Sequence, residues 1–377
     1  MNVRATLSRF KPAAYQATAL GYRARAGLGL APAAPPVGIV IEQADWAIRW
    51  WGTFIVDEAN RIAPGTAHVT TQPAERVSGI VEFGSQYQWV EWGRFLSPKC
   101  RCVTTFFHGK PEDGPDVARH IDRFLQSVPR LDHIVASASL VRDRLVAWGV
   151  PASKISRIPI GCETDRFVPP SVDERAAARA RFGIKPHEIA IGSFQKDGEG
   201  WGQGDIPKPI KGPDVFLAAI EKLAKDLPVF VLLSGPARGF VKRGLERMGI
   251  RYAHDYAPDR DALAKLYHPL DLYLVTSREE GGPMALMEGM ASGVPVVSTR
   301  VGMAPDLIVD GVTGRIAEPG DVDAIVLAAK ALLALPDGAS GLKAAAREAV
   351  KVTDWSIVAR RHLDEVWGPL MAEKRAP

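Results

Sequence analysis

The sequence lacks several features that would assign it to other classes of protein. No uninterrupted apolar segment approaches the roughly 20 residues of a membrane-spanning helix. There are only three cysteines, Cys100, Cys102 and Cys162, and this odd number without a paired framework favours a reduced cytoplasm over secretion. No dense block of lysine and arginine occurs and the formal net charge is only +4, so nucleic acid is not an expected partner.

The first 41 residues contain no acidic side chain, whereas Arg4, Arg9, Lys11, Arg23 and Arg25 are basic. Organelle transit peptides share this composition, and so do basic arms that lie on anionic membrane surfaces. The third reading is an ordinary frayed terminus. We favour that reading and expect residues 1–35 to be flexible.

A chain of 377 residues is long enough for two domains, each with its own core. Short apolar runs predict buried strands at residues 37–41, 79–81, 101–107 and 134–136, with a helical pattern between the last two. A second series of alternating strands and helices begins at Glu188, after a proline pair at Pro169 and Pro170. Alternation of this kind predicts a parallel sheet in each domain.

The stretch "EEGGPMALMEGMASGVPVV", from Glu279 to Val297, follows an apolar run that predicts a buried strand. Pro283 suits the first position of a helix, and Gly293 is expected to end it. Unpaired N–H groups at such a helix start make a site for an anion, and glycine allows the anion to approach the backbone. A carboxylate would repel a phosphate, so Glu280 and Glu288 are expected to accept hydrogen bonds from hydroxyl groups of the same ligand. Phosphates and hydroxyls together indicate a nucleotide sugar.

The spacing E-x7-E at Glu280 and Glu288, the following "ASGVPVV" and the later "DGVTGRIAEPGD" resemble the C-terminal domain of the family 4 (group 1) glycosyltransferases. That family consists of retaining enzymes of the GT-B architecture. The resemblance implies an α/β fold in which two doubly wound Rossmann-like domains face a central cleft. The implied domains are an acceptor-binding domain over residues 1–168 and a nucleotide-sugar-binding domain over residues 169–352, with a C-terminal helix over residues 353–377 that packs back on the first.

The resemblance also implies roles for individual residues. Glu280 would bind the hydroxyls of the transferred sugar and Glu288 those of the ribose, while Lys211 in "KGPD" would bind phosphate. His108 in "VTTFFHGK" would approach the donor sugar from the acceptor side and act with Glu280 in catalysis. The backbone near the sugar and diphosphate would be that of Gly281, Gly282, Pro283 and Met284.

The chain departs from the family pattern at one point. The family has Gly-Arg after the first strand of this domain, whereas this chain has Gly192 and Ser193, followed by a glycine-rich insertion before Lys211. The phosphate-binding arginine is therefore missing from its expected place. The candidates that could supply the charge instead are Lys196, Lys208 and Arg238.

The implied activity is transfer of a sugar, with retention, from a nucleotide-sugar donor to a glycan or lipid-linked acceptor in surface polysaccharide biosynthesis. The donor is a co-substrate, and no cofactor is expected. No Asp-x-Asp follows a strand, so no metal is expected either. The expected location is cytoplasmic, with peripheral contact to the inner face of the membrane as an option. The alternatives are a sugar-nucleotide epimerase or phosphorylase, or a catalytically silent nucleotide-sugar-binding partner.

Overall fold

The computed structural model describes residues 3–30, 34–43 and 47–373, with side chains from residue 15 onward except that of residue 47. The chain divides into two compact units. The first contains the described residues up to Ser137, Val141–Ile160 and residues 355–373, and the second contains Ala138–Leu140 and Gly161–Asp354. The domain boundary predicted at residues 168 and 169 therefore lies inside the second unit.

The first unit is a parallel α/β sheet with its helices. Within the described residues its sheet has six strands in the order β2-β1-β3-β4-β5-β6. Every pairing is parallel, and the chain order reverses between β1 and β3. Its elements up to residue 157 are α1 (Val3–Gly27), β1 (Val37–Val40), α2 (Ala47–Ile62), β2 (Ala67–Thr70), β3 (Gly79–Phe83), α3 (Gln86–Trp92), β4 (Cys100–Phe106), α4 (Pro115–Ser127), β5 (His133–Ala136), α5 (Ser139–Ala147) and β6 (Ile155–Arg157).

The second unit repeats the plan with its own six-stranded parallel sheet, in the order β12-β11-β10-β7-β8-β9 among the described residues. This is the doubly wound dinucleotide-binding order. The chain adds β8 and β9 on one side of β7, and it then adds β10, β11 and β12 on the other side, so the winding reverses between β7 and β10. Its elements are α6 (Val172–Arg181), β7 (Ile189–Phe194), α7 (Pro213–Leu223), β8 (Val229–Ser234), α8 (Gly239–Arg247), β9 (Arg251–His254), α9 (Arg260–Leu266), β10 (Leu272–Val275), α10 (Met284–Ala291), β11 (Val296–Thr299), α11 (Ala304–Leu307), β12 (Arg315–Ala317), α12 (Val322–Leu333) and α13 (Ser340–Val350).

The central strands of the second unit are buried because they are almost wholly apolar, whereas the edge strands β9 and β12 are partly exposed. All six residues of β8 and all four of β10 are buried, as expected for a parallel sheet covered by helices on both faces. Helix α7 buries seven residues, among them Phe216 and Ile220, against this sheet and α12. The core therefore fixes where β7 and β10 end, and these strand ends carry the candidate site.

The last described segment belongs to the first unit. It consists of α14 (Trp355–His362), a π-helical turn (Leu363–Trp367) and α15 (Gly368–Ala372). Trp355 stacks on Phe54 of α2 with ring centroids 5.2 Å apart. The fully buried Trp367 donates its indole N–H to Glu82 on β3 at 2.6 Å. The predicted segment extends to residue 377, and residues 374–377 lie outside the described part of the chain.

The N-terminal segment differs from the flexible stretch expected from its composition. Residues 3–27 form α1, and Tyr15 on this helix packs against Trp92 and Phe95 with ring centroids 4.6 and 5.2 Å apart. The Tyr15 hydroxyl accepts a hydrogen bond from the Ala74 amide at 2.9 Å, and Arg23 donates to the Phe95 carbonyl at 2.6 Å. A few aromatic contacts, rather than a continuous apolar face, hold this helix, which is why its pattern was missed. The side chains of Arg4, Arg9 and Lys11 lie outside the described residues.

The three cysteines, Cys100, Cys102 and Cys162, are all buried, and they form no disulfide with one another. Among the described helices, no single one is long and apolar enough to cross a membrane, although α12 joined with residues 336–353 meets the length and composition across a bend of 108°.

Candidate functional site

The candidate site lies at the carboxyl edge of the second sheet, beside the point where its winding reverses. Ligands of open α/β sheets bind at this edge, outside the ends of the two strands that flank the reversal. Those strands are β7, which ends at Phe194, and β10, which ends at Val275. The glycine-rich insertion follows the first and the Glu280 turn follows the second, so both features identified in the sequence lie at one edge.

The turn after β10 leads into α10. The sequence predicts Pro283 at the first helical position. In the structure Pro283 is instead the N-cap, with an extended backbone (ψ 102°), and the helix begins at Met284. Gly293 has φ +69° and its amide bonds to the Met290 carbonyl, which ends the helix where the sequence predicts. Gly302 in the next loop lies against this turn, because a Cβ there would stand 2.7 Å from the Gly281 carbonyl oxygen. The Glu280–Gly282 turn is therefore packed against the loop that carries Gly302.

Glu280 and Lys211 are brought into contact. Glu280 is 8% exposed, and its Oε1 accepts a hydrogen bond from the Ser277 hydroxyl at 2.8 Å and forms an ion pair with Lys211. Gly212 makes the approach possible, since its φ is +61° and a Cβ on it would stand 2.0 Å from the Thr276 carbonyl oxygen. A lysine cation and a carboxylate thus stand together beside the start of α10.

Glu288 lies inside a buried ionic network. It is 4% exposed, and it accepts hydrogen bonds from Arg260 Nη1 at 2.7 Å and from the Tyr267 hydroxyl at 2.8 Å. Arg260 also donates to Glu163 Oε2 from Nε at 2.8 Å and stacks over Phe167 at 4.9 Å. One guanidinium therefore serves two buried carboxylates.

The electrostatics of this network follow from its charges. Burial lowers the pKa of Arg260, but the carboxylates of Glu288 and Glu163 raise it, and the net shift is upward. Burial, and then the charge of Glu288, raise the pKa of the Tyr267 hydroxyl well above its ordinary value. Arg260 therefore stays a cation and Tyr267 a neutral donor, and both address Glu288 as an acceptor.

Sequence reasoning missed the partners of Glu288. A carboxylate in the apolar helix "MALMEGMA" does signal a buried partner, because an unpaired buried charge is costly. The sequence alone does not say which cation fills that place, since Arg260 is 28 residues away and Glu163 is 97 residues from Arg260. Glu163, Arg260 and Tyr267 enter the site only through the fold.

Arg238 is not placed to contact a diphosphate, and this candidate is corrected by the structure. Its side chain is fully buried, and its guanidinium donates to the Ser193 carbonyl at 2.5 Å, to the Ser193 hydroxyl at 3.1 Å and to the Ser234 carbonyl at 2.7 Å. Its Nε lies 3.0 Å from the equally buried carboxylate of Asp197. Arg238 therefore ties β7, β8 and the insertion together.

Lys196 and Lys208 remain as candidate phosphate cations. Lys196 holds its ammonium 3.8 Å from the ring centroid of Trp201, within cation–π range. Lys208 immediately precedes the short 3₁₀ turn Pro209–Lys211 that carries Lys211. The insertion thus supplies two lysines to the segment that leads into Lys211.

His108 follows β4 in the first unit. The amide of Gln86, which is almost completely buried, holds the backbone here: its Nε2 donates to the His108 carbonyl at 2.9 Å and its Oε1 accepts from the Phe107 amide at 3.4 Å. Arg144 donates to the Gly109 carbonyl at 3.1 Å. The loop is fixed at three successive residues, and the catalytic role of His108 stays a prediction.

No group of three or more His, Cys, Asp or Glu side chains among the described residues is arranged to hold a metal ion. Lys211 is the cation paired with Glu280, and Arg260 is the cation paired with Glu288. Metal independence stays a prediction.

Two parallel six-stranded sheets with a ligand edge at the winding reversal define a protein of the GT-B architecture. HepE of Anabaena in complex with UDP has the same fold, with a TM-score of 0.70 at 14% identity over 88% of this chain and 98% of that one. Residues 207–349 match the family model described as glycosyl transferases group 1. That stretch contains Lys211, Glu280 and Glu288.

Curated relatives carry one recurring name. A D-inositol 3-phosphate glycosyltransferase of Mycobacterium sp. (strain KMS) is 31% identical over 210 residues, which cover 52% of this chain and 44% of the relative. A protein of the same name from Xylanimonas cellulosilytica is 29% identical over 346 residues, covering 85% of this chain and 79% of the relative. The chain thus spans less than half the length of the first of these relatives.

Proposed function

We propose that this protein is a retaining glycosyltransferase that moves a sugar from a nucleotide-sugar donor to a hydroxyl group of its acceptor. The observation that carries the proposal is the Lys211–Glu280 pair at the edge where the second sheet reverses its winding, beside the start of α10. A departing diphosphate needs cations and N–H donors, and the sugar hydroxyls need an acceptor. Lys211, the α10 start and Glu280 supply these groups.

The proposed reaction needs no metal ion. Lys211 and the first N–H groups of α10 would neutralise charge on the leaving phosphate, which would itself receive the proton of the acceptor hydroxyl. Glu280 would hold the sugar as positive charge develops at its anomeric carbon. His108, which follows β4, is the proposed catalytic residue on the acceptor side.

The acceptor is proposed to be a glycan or glycolipid of the cell surface, with the protein acting at the cytoplasmic face of the membrane. The names of the relatives widen the choice, because D-inositol 3-phosphate is a phosphorylated polyol. The donor base is open. The Anabaena neighbour was captured with UDP and with UDP-glucose, and one relative from Mycolicibacterium smegmatis is called GDP-mannose-dependent.

The proposal is tested by a thermal-shift screen of the purified protein against UDP-, GDP-, ADP-, CMP- and dTDP-sugars, followed by product analysis with the donor that binds. Binding raises the melting temperature by mass action. The expected product is a glycoside whose anomeric configuration, read by NMR, equals that of the donor. Binding without transfer or donor hydrolysis would instead indicate a silent binding partner, and an altered or phosphorylated free sugar would indicate an epimerase or phosphorylase.

Activity is expected to persist when divalent metals are removed. The reason is that the proposed charge neutralisers are Lys211 and backbone N–H groups rather than carboxylate-bound Mg²⁺. Turnover measured in excess EDTA should equal turnover in buffer. Loss of activity that Mg²⁺ or Mn²⁺ restores would show that a carboxylate site for metal exists.

Replacing Glu288 by alanine is expected to weaken the sugar nucleotide and the bare nucleoside diphosphate alike. Each carboxylate oxygen has a lone pair beyond those used by Arg260 and Tyr267, and the ribose hydroxyls would donate to these. Hydrogen bonds to a charged group contribute about 1.5–3 kcal/mol, so affinity should fall about 10- to 100-fold. Calorimetry with UDP and GDP measures it. Tyr267→Phe, which keeps the carboxylate, is the control and should bind nearly as wild type.

A further inference from the structure

The insertion between β7 and α7 is a folded hairpin. Within residues 195–210, which we call the lysine hairpin, Gly198 and Pro207 form an antiparallel bridge, and the Glu199 amide donates to the Ile206 carbonyl at 2.9 Å. The family pattern predicts an arginine at position 193, where this chain has serine. The lysine hairpin begins two residues after that position. The chain therefore replaces one side chain with a folded element.

The tip of the lysine hairpin is anchored on the start of α8. The amides of Gly239 and Phe240 donate to the carbonyls of Gln203 and Gly204 at 2.6 and 2.9 Å. Gly204 has φ +76°, and a Cβ on it would stand 2.1 Å from the Ala237 carbonyl oxygen. Only glycine permits this approach at position 204, and Gly198 is confined in the same way, with a Cβ 2.4 Å from the Ala237 carbonyl oxygen.

The base of the lysine hairpin is anchored by a buried ion pair. Asp197 is completely buried, and burial raises its pKa while the neighbouring Arg238 lowers it in part. A buried pair of this kind is retained only where its geometry is well supported, and Arg238 has three further hydrogen bonds to Ser193 and Ser234. The pair locks the hairpin to the ends of β7 and β8.

The anchored residue Asp197 fixes Lys208. The Lys208 amide donates to the Asp197 carbonyl at 2.7 Å, and the Lys208 carbonyl accepts from the Lys211 amide at 2.9 Å. A continuous chain of contacts thus runs from the buried Arg238 to Lys208 and on to Lys211. The spacing of the two lysines is set by the backbone rather than by mobile side chains.

The lysines form a local excess of positive charge. Burial lowers the pKa of Lys208, and so do the neighbouring ammonium groups of Lys211 and Lys196, while Glu280 and Glu199 oppose the shift. Three cations thus face two carboxylates, in partly buried surroundings that disfavour unpaired charge. A polyanion at this edge would relieve the repulsion.

We propose that Lys208, held by the lysine hairpin, is the second phosphate-binding cation of the donor site beside Lys211, with Lys196 at its margin. The ligand class is the two linked phosphates of a nucleoside diphosphate. Arg238 is a positioning residue that acts through Asp197 and does not touch the ligand. This inference rests on the proposed function, since it names the cations that the donor's phosphates would meet.

The test compares Lys208→Ala with Lys225→Ala by calorimetry, using UDP, GDP and inorganic pyrophosphate as probes. Lys225 is an exposed lysine just after the C-terminal end of the 11-residue α7, about 16 Å from the start of that helix. The Lys225→Ala substitution therefore removes the same charge from the same unit, but far from Lys208. Lys208→Ala should weaken nucleoside diphosphate binding about 10- to 100-fold, as expected for a charged hydrogen bond. Lys225→Ala should bind as the wild type does.

A second readout separates phosphate contact from a structural role. Because the pKa of Lys208 is lowered, the wild type should bind the diphosphate more weakly as pH rises through that pKa toward the ordinary lysine value of about 10.4. Lys208→Arg should restore binding and abolish the alkaline loss, since arginine stays charged. Asp197→Asn should weaken binding and lower the melting temperature, whereas Lys208→Ala should leave the melting temperature unchanged.

The outcomes distinguish this inference from the function on which it rests. Equal affinity of Lys208→Ala and Lys225→Ala for the diphosphate that the wild type binds overturns the role of Lys208 and leaves the glycosyltransferase proposal standing. Wild-type binding of pyrophosphate that depends on Lys208, without binding of any nucleoside diphosphate, keeps the phosphate site and rejects the nucleotide-sugar function. No binding of any of these probes rejects both.

Discussion

Glu280→Ala is expected to lower kcat/KM about 100- to 1,000-fold while bare nucleoside diphosphate binds as tightly as to the wild type, or more tightly. Removal of one well-placed group that stabilises transition-state charge typically costs this much in rate. The affinity should not fall, because the carboxylate is the ion-pair partner of Lys211 and its loss frees that ammonium for phosphate. An interaction that is strongest in the transition state appears in the rate rather than in ground-state binding.

The measurement pairs turnover with calorimetry of UDP or GDP on the same preparations. Ser277→Ala is the matched control, because it removes the 2.8 Å hydrogen bond to Glu280 but keeps the carboxylate and its lysine partner. This control should lose far less activity than Glu280→Ala. A fall in nucleoside diphosphate affinity equal to that of Glu288→Ala would show that the two glutamates do not divide the ligand between sugar and ribose.

Arg260→Met is expected to lower the free energy of unfolding by about 3–5 kcal/mol, the cost of removing one partner from a buried ion pair. Glu288, 4% exposed, would lose the Arg260 cation, and Glu163, 7% exposed, would keep its ion pair with Arg166 alone. Methionine fills similar volume, so the loss reports charge rather than a cavity. Urea unfolding of wild type and variant at one pH measures the difference.

A matched control ties the size of this loss to the burial of the ion pair. Arg300→Met is the control, since Arg300 and Glu318 form an exposed pair for which less than about 1 kcal/mol is expected. Equal losses in the two variants would contradict the account of the network.

The fold was predictable where local pattern decides it. Strands predicted at 37–41, 101–107 and 134–136 correspond to β1, β4 and β5 within one residue at each end. Strand β2 was missed because only Ala67 of its four residues is buried, so it has no apolar run. A short edge strand is specified by its neighbour in the sheet rather than by its own composition.

Only those parts of the candidate site that depend on residues close together in the sequence were predictable. Each of Glu280, Glu288 and Lys211 is followed directly by a glycine, so the sequence itself marks the local turns and helix that carry them. The structure brings Glu280 and Lys211 together. Arg238 was misjudged because a charged residue after a strand reads the same whether it faces a ligand or a buried carboxylate such as Asp197. Which way it faces depends on the insertion, and no local pattern encodes that contact.

The contact between Trp367 and Glu82 bears on the order in which the protein matures during translation. The two residues are 285 positions apart, so at about 5–20 residues per second the ribosome delivers the tryptophan roughly 15–60 s after the glutamate. Residues 161–354 emerge complete before the first unit receives its closing segment at 355–373. Until residue 367 has been synthesised, Glu82 on the central strand of the first unit lacks its hydrogen bond from Trp367. The unit whose synthesis begins first is therefore completed last.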